Sequence, residues 1–414
     1  MRFFAYITRQ NRYSFSPLLA RAGGRLIPIE NLGEVQAGDA VLFSFLSPQI
    51  PEVAEALEVL PRGTLRVAGG PHASALPLHA LEMGFNYVFL GEGEEEINRL
   101  LDFLEGRAEP PRCLQGKGLK GEICTGVEIE LYPPFSELLP IPIEISRGCP
   151  FLCTYCQTPR LLGRKMRHRS PGKLEYWVGK LLRRGIRDIR FITPNGVAYG
   201  GKGGANPHGA IKLLALLKRK YPSSRLYFGS FPSEFRPEHV SMDFLRELRS
   251  LVHNRRVIFG AQSGSDAVLR LLKRGHRRGD VLMAAEAARK AGFIPEIDFI
   301  FGLPFDDEGE SLSLMKELVL MGARIHAHYF LPLPSTPLAL AEPRPLSAVF
   351  AREVEKFTGQ GNLFGQWKRQ REISRWLYRV NREFSGSYVG EENEGDEEKN
   401  YAGGPAGQSG GKDV

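Results

Sequence analysis

Short apolar runs alternate with stretches of helical periodicity over the first hundred or so residues. This alternation predicts a parallel sheet covered by helices on both faces. The predicted strands are Phe3–Ile7, Arg25–Ile29, Ala40–Phe45, Thr64–Ala68 and Tyr87–Leu90, and the predicted helices are Ser16–Ala22, Pro51–Val59, Leu76–Met83 and Glu95–Glu105. Five strands in this order predict a flavodoxin-like, doubly wound α/β fold over residues 1–110.

A doubly wound sheet binds its ligand beyond the carboxyl ends of its strands, where loops and helix N-termini meet. Three segments at such ends are candidates: Ser44–Ser47, Gly69–Ala73 and Gly91–Glu94. Their glycines allow close approach of the backbone to a large ligand, and their serines can donate hydrogen bonds.

From Pro140 onward, six strand-like segments recur, each followed by a helical pattern. They are Ile141–Ser146, Ile186–Thr193, Arg225–Phe231, Val257–Gln262, Glu296–Phe301 and Ile325–Leu331. In barrels of β/α units, reactive groups collect at the C-terminal ends of the strands. Residues 338–384 continue with apolar positions at helical spacing and predict a helical C-terminal extension.

The loop after the first of these strands holds three of the five cysteines, Cys149, Cys153 and Cys156, at Cys-x3-Cys-x2-Cys spacing. Three thiolates on one loop can hold three irons of a cubane cluster and leave the fourth iron open to another ligand. A zinc site is the alternative, with His168 as a fourth ligand, although paired Cys-x2-Cys knuckles are missing. Buried structural thiols or a disulfide fit this Gly- and Pro-marked loop less well.

The loop resembles the cluster-binding loop of the radical S-adenosylmethionine (SAM) enzymes. That resemblance implies a partial (β/α)6 barrel of TIM type over residues 140–337, with a [4Fe-4S] cluster on the three cysteines and SAM on its open iron. Tyr155 would lie beside the adenine. Later strand ends match the family as well, and they imply SAM contacts from Asn195, Gln262, Ser263 and Asp298.

Residues 1–110 resemble the cobalamin-binding domain found ahead of many radical SAM cores. The implied cobalamin contacts are Ser44, Ser47, Gly69, Gly70, His72, Gly91 and Glu92. Many such domains carry a cobalt-ligating histidine after the first strand, but here that loop, Thr8–Ser14, has none. Cobalamin would therefore bind without this axial ligand, or the domain would serve as a degenerate docking module.

The remaining cysteines, Cys113 and Cys124, lie in a Pro- and Gly-rich linker over residues 111–139, and we expect them to be unmodified thiols. The three additional N-terminal cysteines expected of tRNA and ribosomal-protein methylthiotransferases are missing. This absence counts against that activity.

Charge separates the end of the chain from the rest. Residues 385–414 carry seven acids and two bases, a net charge of −5. Because the whole chain has a net charge of +8, the other residues together carry +13. This Gly-rich tail predicts disorder. A basic body favours an anionic substrate, and the basic run from Arg160 to Arg169 could also meet an acidic reductant such as flavodoxin or ferredoxin. Nucleic acid is disfavoured because no aromatic residues interleave with the run.

No apolar stretch reaches the roughly 18 residues that a membrane-spanning helix requires. The opening MRFFAYI predicts a strand and not a cleavable leader, so we expect a cytoplasmic protein.

Three hypotheses follow. The first is a cobalamin-dependent radical SAM enzyme that methylates an unactivated carbon of an unknown substrate. The second is a radical SAM enzyme without cobalamin, and the third is a non-catalytic iron–sulfur protein for electron transfer or redox sensing.

Overall fold

A computed structural model describes residues 1–385. The prediction of a disordered acidic tail falls, from residue 386 onward, outside the described residues. No helix in the described part of the chain has the length and apolar character needed to cross a membrane.

The N-terminal half is a six-stranded sheet with helices on both faces. Its strands are β1 (Phe3–Tyr6), β2 (Leu26–Ile29), β3 (Ala40–Ser44), β4 (Leu65–Gly69), β5 (Tyr87–Phe89) and β6 (Leu114–Gly116). Its helices are α1 (Arg12–Ala22), α2 (Ile50–Glu58), α3 (Gly70–Ala75), α4 (Pro77–Glu82) and α5 (Ile97–Leu104).

The strand order β2-β1-β3-β4-β5 is that of a flavodoxin-like fold, and these five strands pair in parallel. Each lies within one residue of its predicted bounds. The sixth strand, β6, pairs antiparallel with β5 at the edge and comes from the predicted linker.

The predicted linker is part of the packed structure. Cys113 and Leu114 are buried, and the backbone of Cys124 pairs with that of Leu90 at the end of β5. The expectation of unmodified thiols is wrong: Cys113 and Cys124 form a disulfide, with Cα atoms 5.7 Å apart. The antiparallel edge strand brings them together, and this pairing is not visible in their spacing.

The second half contains the remaining elements. Its strands are β7 (Ile143–Glu144), β8 (Ser146–Arg147), β9 (Arg167–His168), β10 (Asp188–Ile192), β11 (Arg225–Tyr227), β12 (Arg256–Gln262), β13 (Ile294–Phe301), β14 (Arg324–Tyr329) and β15 (Leu363–Phe364). Its helices are α6 (Thr158–Leu161), α7 (Pro171–Arg183), α8 (Pro207–Lys220), α9 (Met242–Leu251), α10 (Asp266–Leu271), α11 (Arg278–Lys290), α12 (Glu308–Leu320), α13 (Ala348–Gly359) and α14 (Trp367–Glu383).

Seven of these strands form a partial parallel barrel, as predicted, and β8 and β9 pair antiparallel as a separate ribbon. Two parallel sheets, β7-β10-β11 and β12-β13-β14-β15, are joined where Ile258 N donates to Gly229 O at 2.7 Å and Phe235 bridges to Phe259. The added edge strand β15 belongs to the helical extension, and α14 runs back over the end of β14.

Side chains that cap helix N-termini explain where several barrel helices begin. In each case a Ser, Asn or Asp immediately before the helix accepts a hydrogen bond from a backbone N–H three residues on. The capping residues are Ser170 for α7, Asn206 for α8, Ser241 for α9, Asp307 for α12 and Ser347 for α13.

Candidate functional site

The cysteine loop begins at the C-terminal end of the first barrel strand, where Gly148 adopts a φ of +84°. A Cβ at this position would lie 2.3 Å from Lys165 O, so only glycine fits. The next residue is anchored to the returning chain, because Cys149 N donates to Gly163 O at 3.1 Å.

The three cysteines of the loop are free thiols; Cys153 is buried, and Cys149 and Cys156 are half-buried. Burial raises the pKa of Cys149 to about 11 and also raises the pKa of Cys156. Arg160 fixes the loop by donating to the carbonyls of Cys153 and Cys156, at 3.3 and 2.8 Å. Three adjacent thiols on a braced loop fit the three protein ligands of a site-differentiated [4Fe-4S] cluster.

His168 is not placed to complete a zinc site with the cysteines. Its Nδ1 accepts from Ser146 Oγ at 2.7 Å, and its Nε2 donates to Gly201 O at 2.8 Å. Both ring nitrogens are therefore occupied in hydrogen bonds.

Two guanidinium groups that sequence reasoning missed face the sulfur of Cys153. Arg274 Nη1 lies 3.6 Å and Arg236 Nη1 3.9 Å from Cys153 Sγ. Arg236 also lies 3.7 Å over the Phe151 ring, and Arg274 donates to Gly260 O at 2.8 Å. Such cations stabilise negative charge on a thiolate and on a cluster bound to it.

A cavity of about 570 Å³ separates the carboxyl ends of β3, β4 and β5 from the cysteine loop. Its walls are mostly apolar, and they combine residues of both halves of the chain. Among the lining residues are Phe15, Leu18, Leu42, Leu46, Val67, Ala68, Phe89 and Leu100 on the sheet side and Tyr155, Cys156, Thr158, Leu161 and Leu333 on the barrel side.

Five of the seven predicted cobalamin contacts line this cavity: Ser44, Gly69, Gly70, Gly91 and Glu92. The glycines are needed for close packing. At Gly70, with φ +85°, a Cβ would lie 2.6 Å from Ser44 Oγ, and at Gly91, with φ +89°, it would lie 2.0 Å from Cys124 O. No histidine is found among the described residues that line the cavity.

Ser47 and His72 are placed elsewhere, which corrects their expected position on the cavity wall. His72 is fully buried, with Nδ1 3.0 Å from Ser47 Oγ and Nε2 3.0 Å from His79 Nδ1. Burial, together with the charge of His79, lowers the pKa of His72 to about 3. The imidazole is therefore a neutral core group, held by side chains of neighbouring turns and not directed at the cavity.

Glu92 has strong partners of its own. Arg147 Nη1 and Arg167 Nη1 each donate to its carboxylate at 2.9 Å, and it accepts from Val127 N. Arg147 also donates to Glu94 at 2.6 Å and to Glu144 at 2.7 Å. This buried ion-pair network joins the N-terminal sheet to the start of the cysteine loop.

Several arginines of the basic run after the loop form hydrogen bonds and ion pairs with other groups of the protein. Arg160 binds loop carbonyls, Arg167 binds Glu92, and Arg169 donates to Tyr132 O at 2.5 Å and Glu144 O at 2.9 Å. These three arginines do not form the surface for an anionic substrate or an acidic reductant that we expected from their sequence.

Three of the predicted SAM contacts lie around the cysteine loop. Tyr155 lines the cavity and accepts from Arg274 Nη1 at 3.2 Å. Asn195 is buried and donates to His239 Nδ1 at 2.7 Å, and its Oδ1 accepts from Arg236 N at 3.4 Å. Gln262 ends β12 with a φ of +72°, at an irregularity in the pairing with β13.

Ser263 does not face the loop, contrary to expectation. It is fully buried, and its hydroxyl lies 3.4 Å from Asp306 Oδ1 and 3.3 Å from Ser311 Oγ. The left-handed turn at Gln262 directs the next side chain toward helix α12. Asp298 does face the barrel interior, where it accepts from His326 Nδ1 at 2.9 Å.

Comparison with known proteins matches residues 143–318 to the Radical SAM superfamily model. These residues include the cysteine loop and all five predicted SAM contacts. This matched segment is a radical SAM domain, and members of that superfamily use a [4Fe-4S] cluster and SAM.

Several curated relatives match about half of this chain. A tRNA-2-methylthio-N(6)-dimethylallyladenosine synthase of Pelobacter propionicus is 32% identical over 201 residues, covering 46% of this chain and 44% of the relative. An uncharacterized methyltransferase of Synechocystis is 23% identical over 322 residues, covering 76% of this chain and 56% of the relative. The chain thus spans about half the length of the curated relatives it matches.

Two solved structures share the fold over most of this chain. The methyltransferase TsrM of Kitasatospora setae, solved with cobalamin and a [4Fe-4S] cluster, aligns with a TM-score of 0.62 at 14% identity, over 83% of this chain and 78% of TsrM. OxsB, solved with aqua-cobalamin and SAM, aligns with a TM-score of 0.61 at 13% identity, over 94% of this chain and 56% of OxsB. At these identities the likeness establishes the shared fold.

Proposed function

We propose that this protein is a cobalamin-dependent radical SAM enzyme that transfers a methyl group to an unactivated carbon. The cavity between the N-terminal sheet and the cysteine loop is the observation that carries the proposal. It places a broad apolar slot, with glycines on its wall, directly against Cys156 and Tyr155. A corrin ring needs such a slot, and methyl transfer needs the corrin close to the cluster and SAM.

The cluster would be held by Cys149, Cys153 and Cys156, and its open iron would bind SAM. When bound, these groups supply reductive cleavage of SAM to a 5′-deoxyadenosyl radical, and cobalamin supplies the methyl group. The chain's own residues position them: Arg236 and Arg274 stabilise charge at Cys153, and Tyr155 separates the cavity from Arg274. Asn195, Gln262 and the second carboxylate oxygen of Asp298, Oδ2, remain the proposed contacts to SAM.

In the cobalamin slot, Gly69, Gly70 and Gly91 would let the backbone approach the corrin, with Ser44 as a hydrogen-bonding group. The described lining offers no imidazole to the cobalt, so the corrin would rest on apolar side chains. The Glu92 carboxylate is paired with Arg147 and Arg167, so Glu92 would form part of the cavity wall without contacting cobalt.

Methylthio transfer fits the chain less well, although several curated relatives carry that name. Outside the cysteine loop the sequence holds only Cys113 and Cys124, and these two are joined as a disulfide. They cannot supply the three additional cysteines expected of methylthiotransferases.

The decisive experiment is anaerobic reconstitution of the cluster with and without cobalamin, followed by reduction with dithionite or reduced flavodoxin. We expect 5′-deoxyadenosine from SAM, one tightly held cobalamin per chain, and transfer of deuterium-labelled methyl from SAM to the bound corrin. SAM cleavage by a chain that retains no cobalamin would favour the cobalamin-free hypothesis. If the electron paramagnetic resonance (EPR) signal of the reduced cluster does not change when SAM is added, the result would favour a simple electron carrier.

A further inference from the structure

The inner face of strands β13 and β14 carries an unusual set of polar side chains. In a strand, successive side chains alternate between faces, so Asp298 shares one face with Ile300, and His326 shares it with His328. The opposite face, with Phe299, Ala327 and Tyr329 among others, is buried against helices. The polar set therefore faces the interior of the barrel, where its side chains keep 17 to 35% of their exposure.

Register brings three of these groups together. Asp298 and His326 are direct partners across the two parallel strands, and His328 lies two residues further along β14. Asp298 Oδ1 is 2.9 Å from His326 Nδ1 and 3.9 Å from His328 Nε2. One ligand atom from each of the three residues lies within 4.8 Å of the others.

The rings are held in these orientations by packing. His326 stacks on Phe364 of β15, with centroids 4.7 Å apart and planes 11° from parallel. The His326 and His328 rings meet edge to face at 4.3 Å. These contacts fix the orientation of both imidazoles at the inner face of the sheet.

The surrounding charge favours a cation at this place. The neighbouring guanidiniums of Arg256 and Arg324 are both paired with Glu296, at 3.2 and 3.3 Å, and not with Asp298. A second carboxyl, that of Glu234 in the segment after β11, lies within electrostatic range of Asp298.

We propose that Asp298, His326 and His328 bind one divalent transition-metal ion inside the barrel. Two imidazoles and one carboxylate are a ligand set that suits Zn²⁺, Fe²⁺ or Mn²⁺ and leaves coordination positions open. Those positions face the barrel interior, so the ion would hold an oxygen or nitrogen of the substrate. This role rests on the proposed function, whereas metal binding does not.

The test titrates Mn²⁺ into the anaerobically reconstituted protein with its cluster oxidised and EPR-silent, and follows the six-line EPR signal of free Mn²⁺. Mn²⁺ is chosen because it competes poorly for thiolates. We expect one Mn²⁺ to be bound per chain by the wild type. Asp298→Asn, which keeps the shape of the side chain, and His328→Gln should each weaken binding by more than about 100-fold.

His253→Gln is the matched control, because His253 is exposed and lies outside the barrel interior; it should bind like the wild type. Iron, sulfide and 5′-deoxyadenosine are measured in the same samples, so a failure of SAM cleavage is seen separately from a failure of Mn²⁺ binding. Wild-type protein that leaves the free Mn²⁺ signal undiminished, or equal binding by Asp298→Asn and His328→Gln, would overturn the proposal. In either case the three residues form a hydrogen-bonded Asp–His cluster only.

Discussion

Arg147 Nη1 donates to Glu92 Oε1 at 2.9 Å, although the two residues are 55 positions apart in sequence. Arg147 lies two residues before Cys149, and Glu92 lies at the carboxyl end of the N-terminal sheet. Both side chains are almost completely buried, with 9% and 1% of their surface exposed. This pair therefore sets the distance between the cavity wall and the cysteine loop.

Replacing Arg147 by Met should destabilise the protein strongly. The substitution leaves Glu92, Glu94 and Glu144 with unbalanced buried charge, and removal of one partner from such a network costs about 3–5 kcal/mol. Chemical denaturation of the two proteins measures the difference. Arg225→Met is the control, because the Arg225–Asp188 pair is half exposed and should contribute less than about 1 kcal/mol. Equal losses in both variants would contradict the role of the buried network.

Substitution of any one loop cysteine by alanine should abolish the cluster. Three protein thiolates are the minimum for the site, so Cys153→Ala should lose most of its iron and sulfide after reconstitution and should not cleave SAM. Iron and sulfide analysis measures this directly. Cys113→Ala removes a cysteine of the disulfide and should keep wild-type iron content. Full iron content in Cys153→Ala would refute the assignment of the ligands.

Arg274→Met should lower the reduction potential of the cluster. The Arg274 cation lies 3.6 Å from Cys153 Sγ and stabilises the more negative, reduced state. We expect a decrease of about 60 mV, which corresponds to a tenfold change in a one-electron equilibrium. An EPR-monitored redox titration measures the midpoint, with Arg270→Met on the exposed side of α10 as control. The two variants would have the same midpoint if the guanidinium has no electrostatic role.

Leu46→Glu should weaken cobalamin binding by about tenfold or more, because it places a charge at the apolar wall of the cavity. The side chain is 44% exposed, so the substitution does not disturb the core. Leu78→Glu is closely matched at 43% exposure but does not line the cavity, and it should bind normally. Equilibrium dialysis with hydroxocobalamin compares the two. Equal affinities would place the corrin elsewhere.

Asp306→Asn should stabilise the protein at alkaline pH and have little effect at pH 4. Burial, followed by the charge of Glu308, raises the pKa of Asp306 from 3.8 to about 7. A raised pKa of an acid means that stability is fully present below the unfolded pKa and is lost as pH rises through about 7. The amide does not titrate, so the gain should grow to at most about 4 kcal/mol by pH 8. Thermal unfolding of both proteins from pH 4 to 8 measures it, and a gain independent of pH would contradict this cause.

The parts of the fold that could be predicted from sequence are those with a local signal. The five parallel strands of the N-terminal half are short apolar runs, and several barrel helices follow Ser, Asn or Asp caps. The cysteine loop was predictable because all three sulfur atoms lie within eight residues. Cys113 and Cys124 were misjudged because an edge strand, not their spacing, brings them together.

Some features of the site could not be predicted from the sequence, because they depend on contacts between side chains that are far apart in the chain. Arg236 and Arg274 reach Cys153 from positions 83 and 121 residues away, and no pattern marks them among so many arginines. His72 and Ser263 were expected on the ligand side, but each finds partners in the core on the other side of its turn. The sequence shows that both residues are polar and lie near the ends of strands. It does not show the direction of their side chains, because that direction depends on tertiary contacts.

The last described helix has a consequence for how the protein is made. Helix α14 contacts both halves: Arg369 pairs with Glu52 at 2.7 Å, and Asn381 donates to Pro332 O at 2.5 Å. Every residue that lines the cavity lies before it in the chain. Because synthesis proceeds from the N-terminus, the cavity walls emerge from the ribosome before the brace that holds them together. The segments that would hold a large cofactor are therefore all synthesised before the helix that contacts both halves.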